Sequence, residues 1–194
     1  MPRREIRFQA GSYYHIFNRG ANHMSICRNH GNFIYLLGLM KKYLAQLDLT
    51  MIAYCLLPNH YHWLVRQDGA TRAGELPQSV FNAYSKAFNK ATGHTGTLFE
   101  GRYKIIAVTR DPYLHHLCRY IHANPVRHGL ATHAHLWPYS NFQEWLKLRD
   151  GTLVDHNFVQ DHFGTPERYR LYLDAYLTGQ NQPPRGLEDY LTGL

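Results

Sequence analysis

Two histidines one residue apart, His60 and His62, open the segment HYHWLVRQ. In an extended strand residues i and i+2 face the same side, so the two imidazoles stand about 6–7 Å apart on one face, while Tyr61 and Trp63 point to the other. Imidazole is a common metal ligand, and a pair so placed can converge on one divalent ion. Further along, Tyr120 and Asn124 fall one turn apart on a helix that begins near Pro112, which makes them neighbours on one face. On spacing alone each has a plain alternative. Two histidines on a strand are also ordinary surface residues, a helical tyrosine usually buries its ring and wets its hydroxyl, and an asparagine before proline is a common helix end. The chain carries 14 His and 15 Tyr, so chance pairs are expected. His115 and His116 face different directions on their helix, His133 and His135 lie in an irregular stretch, and His128 belongs to a helix-ending turn. These five read as structural or solvated.

The elements that must position these residues follow from hydrophobic periodicity. Tyr13–Asn18 reads as a strand ending at Arg19-Gly20, and Asn32–Leu47 has apolar residues at helical steps. Thr50–Leu57 is a short continuous apolar run suited to a buried strand; Pro58-Asn59 turns the chain, and His60–Gln67 returns as its hairpin partner. Pro77–Thr92 is a second helix closed by Gly93, and Tyr103–Thr109 a fourth strand. Asp111-Pro112 is expected to cap a third helix, which should stop near Ala123 or Asn124 because Pro125 cannot donate a backbone hydrogen bond. The order β-α-β-β-α-β matches an α+β, ferredoxin-like core with an antiparallel sheet, of the kind also seen in RNA-binding domains, followed by a further helix. Residues 144–194 are expected to form a C-terminal helical appendage, with short helices near 155–162 and 166–178 and a Pro/Gly tail from Gly179.

Composition limits the possible partners. The 194 residues contain 21 Lys+Arg and 14 Asp+Glu, a formal charge of +7. That balance permits a polyanion partner. Bulk disorder is excluded by 44% hydrophobic residues. No apolar run approaches the length of a membrane span, and the first residues lack a signal-peptide core. Three cysteines with no CxxC spacing suit a reducing compartment, so a cytoplasmic protein is expected.

Taken together, YYHIFNRG, LLPNHYHWLV, CRYIHANPVRHG and WPYS resemble the REP-associated tyrosine transposases, within the single-tyrosine HUH class of small insertion-sequence transposases. The resemblance spans roughly residues 11–143, which would form the transposase domain together with a basic arm at residues 1–11. It implies a ferredoxin-like fold and Mg²⁺ or Mn²⁺ held by His60 and His62, with Asn124 as third ligand or polar partner. It also implies that Tyr120 is the nucleophile, and that single-stranded DNA with hairpin elements is the substrate. Mn²⁺ accepts imidazole better than Mg²⁺ does. The state implied is a monomer or a homodimer, associated with the nucleoid. Arg19, Arg102, Tyr103, Lys104, Arg119 and Arg127 are candidate DNA contacts, with Arg3 and Arg4 on the arm; each is also an ordinary surface residue, and FEGRYK, which holds three of them, is the best-supported patch. A competing expectation from the same core is a non-catalytic single-stranded nucleic-acid-binding module. A structural zinc site is disfavoured, since no cysteine accompanies His60.

Overall fold

The computed structural model describes residues 6–180. The start of the basic arm with Arg3 and Arg4, and most of the expected tail, lie outside the described residues. Four strands, β1 (Tyr13–Arg19), β2 (Leu49–Leu56), β3 (His60–Gln67) and β4 (Lys104–Val108), pair antiparallel in the order β2-β3-β1-β4. The helices are α1 (His30–Gln46), α2 (Glu75–Thr92), α3 (Asp111–Arg127), α4 (Phe142–Trp145), α5 (His156–Phe163) and α6 (Pro166–Leu177). The expected ferredoxin-like α+β core is therefore present.

Both faces of the sheet are covered. On one side α1 and α2 press Leu36, Met40, Val80 and Phe81 against Ile16, Tyr61, Trp63 and Val65. On the other side Leu114, Leu117 and Ile121 of α3 meet Ile52, Cys55 and Leu64, and α4–α6 complete that core with Trp145, Phe158, Phe163, Tyr169 and Leu173. Burial on both faces explains why β2 and most of β3 read as continuous apolar or aromatic runs rather than alternating ones. The helices beyond residue 143 thus share a core with α3. Arg66 of β3 pairs with Asp155 at 2.7 Å, and Asp155 also caps α5 by accepting from the Phe158 amide.

Two helix ends differ from expectation. The residue before the first turn of α3 is Arg110, and Asp111 lies inside that turn, where its carboxylate faces the positive end of the helix dipole. The helix also continues through Pro125 to Arg127. Proline removes only its own N–H; the His128 amide still reaches the Asn124 carbonyl at 3.0 Å, and the amides of Leu130 and Ala131 close on the Pro125 carbonyl. At the end of β1, Gly20 makes the turn that re-aims the chain toward α1; a Cβ there would collide with the Met24 carbonyl. All three cysteines are free and buried, and none of the helices among the described residues is long and apolar enough to cross a membrane.

Candidate active site

Strand alternation sets the site. The register pairs Arg19 with His60, Phe17 with His62 and His15 with Leu64, so Arg19, Phe17, His15, His60 and His62 occupy one face of the two central strands. Helix α3 crosses that face and lays the Tyr120 ring edge-on to His62, with ring centres 5.2 Å apart. The rings of His60 and His62 stand 5.4 Å apart and nearly perpendicular. Asn124, one turn beyond Tyr120, donates its side-chain amide to the Tyr120 carbonyl at 2.7 Å. Its side chain also acts on both neighbours, drawing the pKa of His60 up and that of Tyr120 down against the larger effect of burial. Spacing presents these residues as two pairs, His60 with His62 and Tyr120 with Asn124, which only the family resemblance joins; the fold brings the pairs together within one chain.

Burial governs the electrostatics. It holds His60 down to about 4, helped by the neighbouring His128, and His62 well below the usual imidazole range. Both rings are therefore neutral, the form that ligates metals. Burial pushes the Tyr120 hydroxyl up to about 12, and the charge of Arg127 works in the opposite direction. The Arg127 guanidinium lies 5.6 Å from the centre of the Tyr120 ring and donates to the Tyr176 hydroxyl at 2.6 Å.

Among the described residues no three His, Cys, Asp or Glu side chains are grouped to hold a metal. The set that faces Tyr120 instead joins two imidazoles to an amide. It suits a divalent ion in donor chemistry: His62 Nε2 is buried with no hydrogen-bond partner among the described residues, and His60 Nδ1 is engaged by Asn59 at 2.7 Å, which leaves Nε2 as the nitrogen to ligate.

Two histidines near the site are not assigned to it by the sequence: nothing there singles out His15, and His128 reads only as part of a helix-ending turn. His15 is fully buried and places Nε2 3.1 Å from His62 Nδ1. His128, at the end of α3, packs its ring 4.8 Å from that of His60. The only sequence signal for His15 was alternation within YYHIF, which names its face but not the strand beside it. The candidate DNA contacts are placed differently from one another. Arg102 and Arg127 are exposed, whereas Arg19 pairs with Glu100 at 3.0 Å. Lys104 lies over the Phe17 ring, and Tyr103 donates its hydroxyl to the Gly74 carbonyl at 2.7 Å. Arg119 is buried, with its guanidinium stacked 3.8 Å over the Tyr172 ring of α6.

The IS200-like transposase family model matches residues 9–124. The chain belongs to that family. The match runs from just before β1 to Asn124, so it takes in the whole sheet and α3 up to its last turn. In fold, this transposase is similar to a REP-associated tyrosine transposase solved with a REP hairpin, with a TM-score of 0.62 at 20% identity over 80% of this chain and 94% of that one. A candidate transposase from Deinococcus radiodurans aligns with a TM-score of 0.43 at 15% identity, over 55% of this chain and 87% of that one. No curated protein matches it significantly.

Proposed function

We propose that this IS200-like transposase cleaves and rejoins single-stranded DNA beside a hairpin, with Tyr120 as nucleophile and His60, His62 and Asn124 as holders of Mg²⁺ or Mn²⁺. The observation that carries the reading is the packing of the Tyr120 ring against His62 within one chain, with Asn124 bonded to the Tyr120 carbonyl one turn along the same helix. The similar solved transposase was bound to a REP hairpin, which supports a hairpin-bearing substrate of that kind.

In the proposed reaction the Tyr120 oxygen attacks a backbone phosphorus. The new O–P bond gives a 5′-phosphotyrosine, the bond to the 3′ oxygen breaks, and the proton lost by the tyrosine is balanced by the one gained at the released 3′-OH. Attack by a second 3′-OH reverses these changes and joins a new strand, so the bond energy is kept. A bound divalent ion supplies Lewis-acid polarisation of the scissile phosphate. The neutral ligand set leaves the ion's charge available to that phosphate, Asn124 orients the tyrosine hydroxyl, and Arg127 favours the phenolate. Because one chain holds all four residues, a single protomer is sufficient for the chemistry.

The test is a covalent adduct. Incubation with Mn²⁺ and a hairpin-bearing single strand, followed by denaturation, should leave DNA attached to the wild type and none to Tyr120→Phe. His60→Ala should lose cleavage while keeping its melting temperature. DNA binding without metal dependence or adduct in the wild type would show a binding module rather than an enzyme.

A further inference from the structure

On the sheet face opposite Tyr120, beside the first residues of β3, a hollow of about 340 Å³ is lined by Asn18, Tyr61, Gln78, Phe99, Arg102 and Tyr103. We infer that this hollow receives one unpaired base of the DNA strand, within a few nucleotides of the phosphate that Tyr120 attacks. The inference rests on the single-strand cleavage reading and adds a subsite to it.

The chemistry of the lining fits a nucleobase. Phe99 is half-buried and meets Phe81 and Tyr61 edge-on, at 4.6 and 6.1 Å between ring centres, so neither contact is a face-to-face stack. Exposed aromatic faces are what unpaired bases stack on, whatever their sequence. The Tyr61 hydroxyl is fully buried and has no hydrogen-bond partner among the described residues. A buried hydroxyl left unpaired is unusual and calls for a partner. Gln78 donates to the Tyr103 hydroxyl at 3.2 Å, which leaves its carbonyl oxygen and second N–H for a base edge. Tyr103 is itself anchored on the Gly74 carbonyl, and Asn18 holds the Gly101 carbonyl at 3.0 Å, so the lining is set in advance of binding. Arg102 lies exposed at the rim, where the phosphate of the captured nucleotide would pass. A flat ring, a polar edge and an attached anion are the three parts of a nucleotide, and each has a matching group here.

Position links the hollow to the reaction. Tyr61 stands between His60 and His62 in β3, and its strand partner Asn18 precedes Arg19, the partner of His60. The metal-ligand pair and the base subsite are therefore the two faces of the same few residues at one end of the sheet. A single strand passing around that end meets both.

Gly101 provides the test. It lines the hollow, and a Cβ built on it meets nothing within 4 Å, so Gly101→Leu sets a bulky side chain at the wall of the hollow without a clash at its Cβ. The full chain and this variant are titrated with hairpin-bearing single strands in which one abasic nucleotide is walked through both flanks, with fluorescence anisotropy as the readout. For the wild type, one or two adjacent abasic positions should weaken binding about tenfold, the scale of one lost base–aromatic stack. Gly101→Leu should bind the intact strand as weakly as the wild type binds that abasic strand, and should be indifferent to the same position. Gln78→Ala, on an exposed helix face, should show part of the same loss at the same position. Equal losses at every abasic position, or unchanged affinity and position dependence in both variants, would overturn the inference. Adduct formation is scored in parallel: no adduct from the wild type on any strand refutes the cleavage reading, whereas a normal adduct with no abasic signature refutes the subsite alone.

Discussion

His15 Nε2 lies 3.1 Å from His62 Nδ1 in a contact closed to solvent. Between two neutral imidazoles one nitrogen must donate and the other accept. For His62 to offer an unprotonated Nε2 to a metal, its proton must sit on Nδ1, and His15 is then the acceptor that fixes both tautomer and ring orientation. His15→Phe keeps the ring and removes the acceptor. Calorimetric titration of the DNA-free protein should show Mn²⁺ binding weakened about 10–100-fold. Denaturant unfolding should show a loss of about 1–3 kcal/mol from the unpaired nitrogen. Mn²⁺ affinity within twofold of the wild type would mean that His15 does not orient the ligand.

Arg127 and Tyr176 make a second testable pair. The 2.6 Å bond between them holds the guanidinium beside Tyr120, whose hydroxyl burial pushes up to about 12. Arg127→Gln removes the opposing charge, so less phenolate is present at any given pH below that value. The rate of adduct formation should fall about tenfold at neutral pH, which corresponds to one pKa unit, and its pH profile should shift upward by the same amount. Tyr176→Phe should shift the profile the same way by less. Both changes should leave the melting temperature almost unmoved, because Arg127 is exposed. An unchanged pH profile in Arg127→Gln would remove Arg127 from the chemistry.

The sequence revealed what local periodicity encodes. Alternation put His60 and His62 on one face, and helical spacing put Tyr120 next to Asn124; both relationships hold in the fold. The hairpin of β2 and β3 was legible because Pro58-Asn59 marks its turn. Contacts that depend on sheet order and helix docking were not legible. His15 reaches His62 only because β1 inserts beside β3, and the stacking of Arg119 on Tyr172 depends on α6 folding back over α3. Pro125 misled because the local rule says that a helix stops before proline, whereas the cost at that point is one hydrogen bond in a final turn that the Asn124 carbonyl still closes.

The helices after residue 143 are integral to the second core. Leu173 is fully buried among the residues that pack α6 on α3. Leu173→Ala should therefore cost about 2–5 kcal/mol, the range for a truncated core leucine. The measurement is urea unfolding followed by tryptophan fluorescence, since Trp145 lies in the same core. A cost below about 0.5 kcal/mol, as for a surface substitution, would show that α6 contributes little to stability.

Buried histidines should make the fold acid-labile at pH values where most proteins are still stable. Burial lowers His15 and His116 to about 3, and His60 and His122 to about 4. In the unfolded chain each returns to about 6.5. Below that value the unfolded state binds protons that the native state refuses, so stability is complete above about pH 6.5 and is lost as pH falls toward the folded values. Each group contributes up to about 1.4 kcal/mol per pH unit in that window. The melting temperature of the metal-free protein should hold steady above neutrality and fall steeply between about pH 6 and pH 4.5. His122→Gln gives the internal control. His122 bonds the Tyr169 hydroxyl at 2.7 Å and Asn141 at 2.9 Å, so the variant should be less stable at neutral pH. Having one fewer buried imidazole to protonate, it should also lose stability less steeply on acidification. Parallel pH curves for the two proteins would assign the acid lability to other groups.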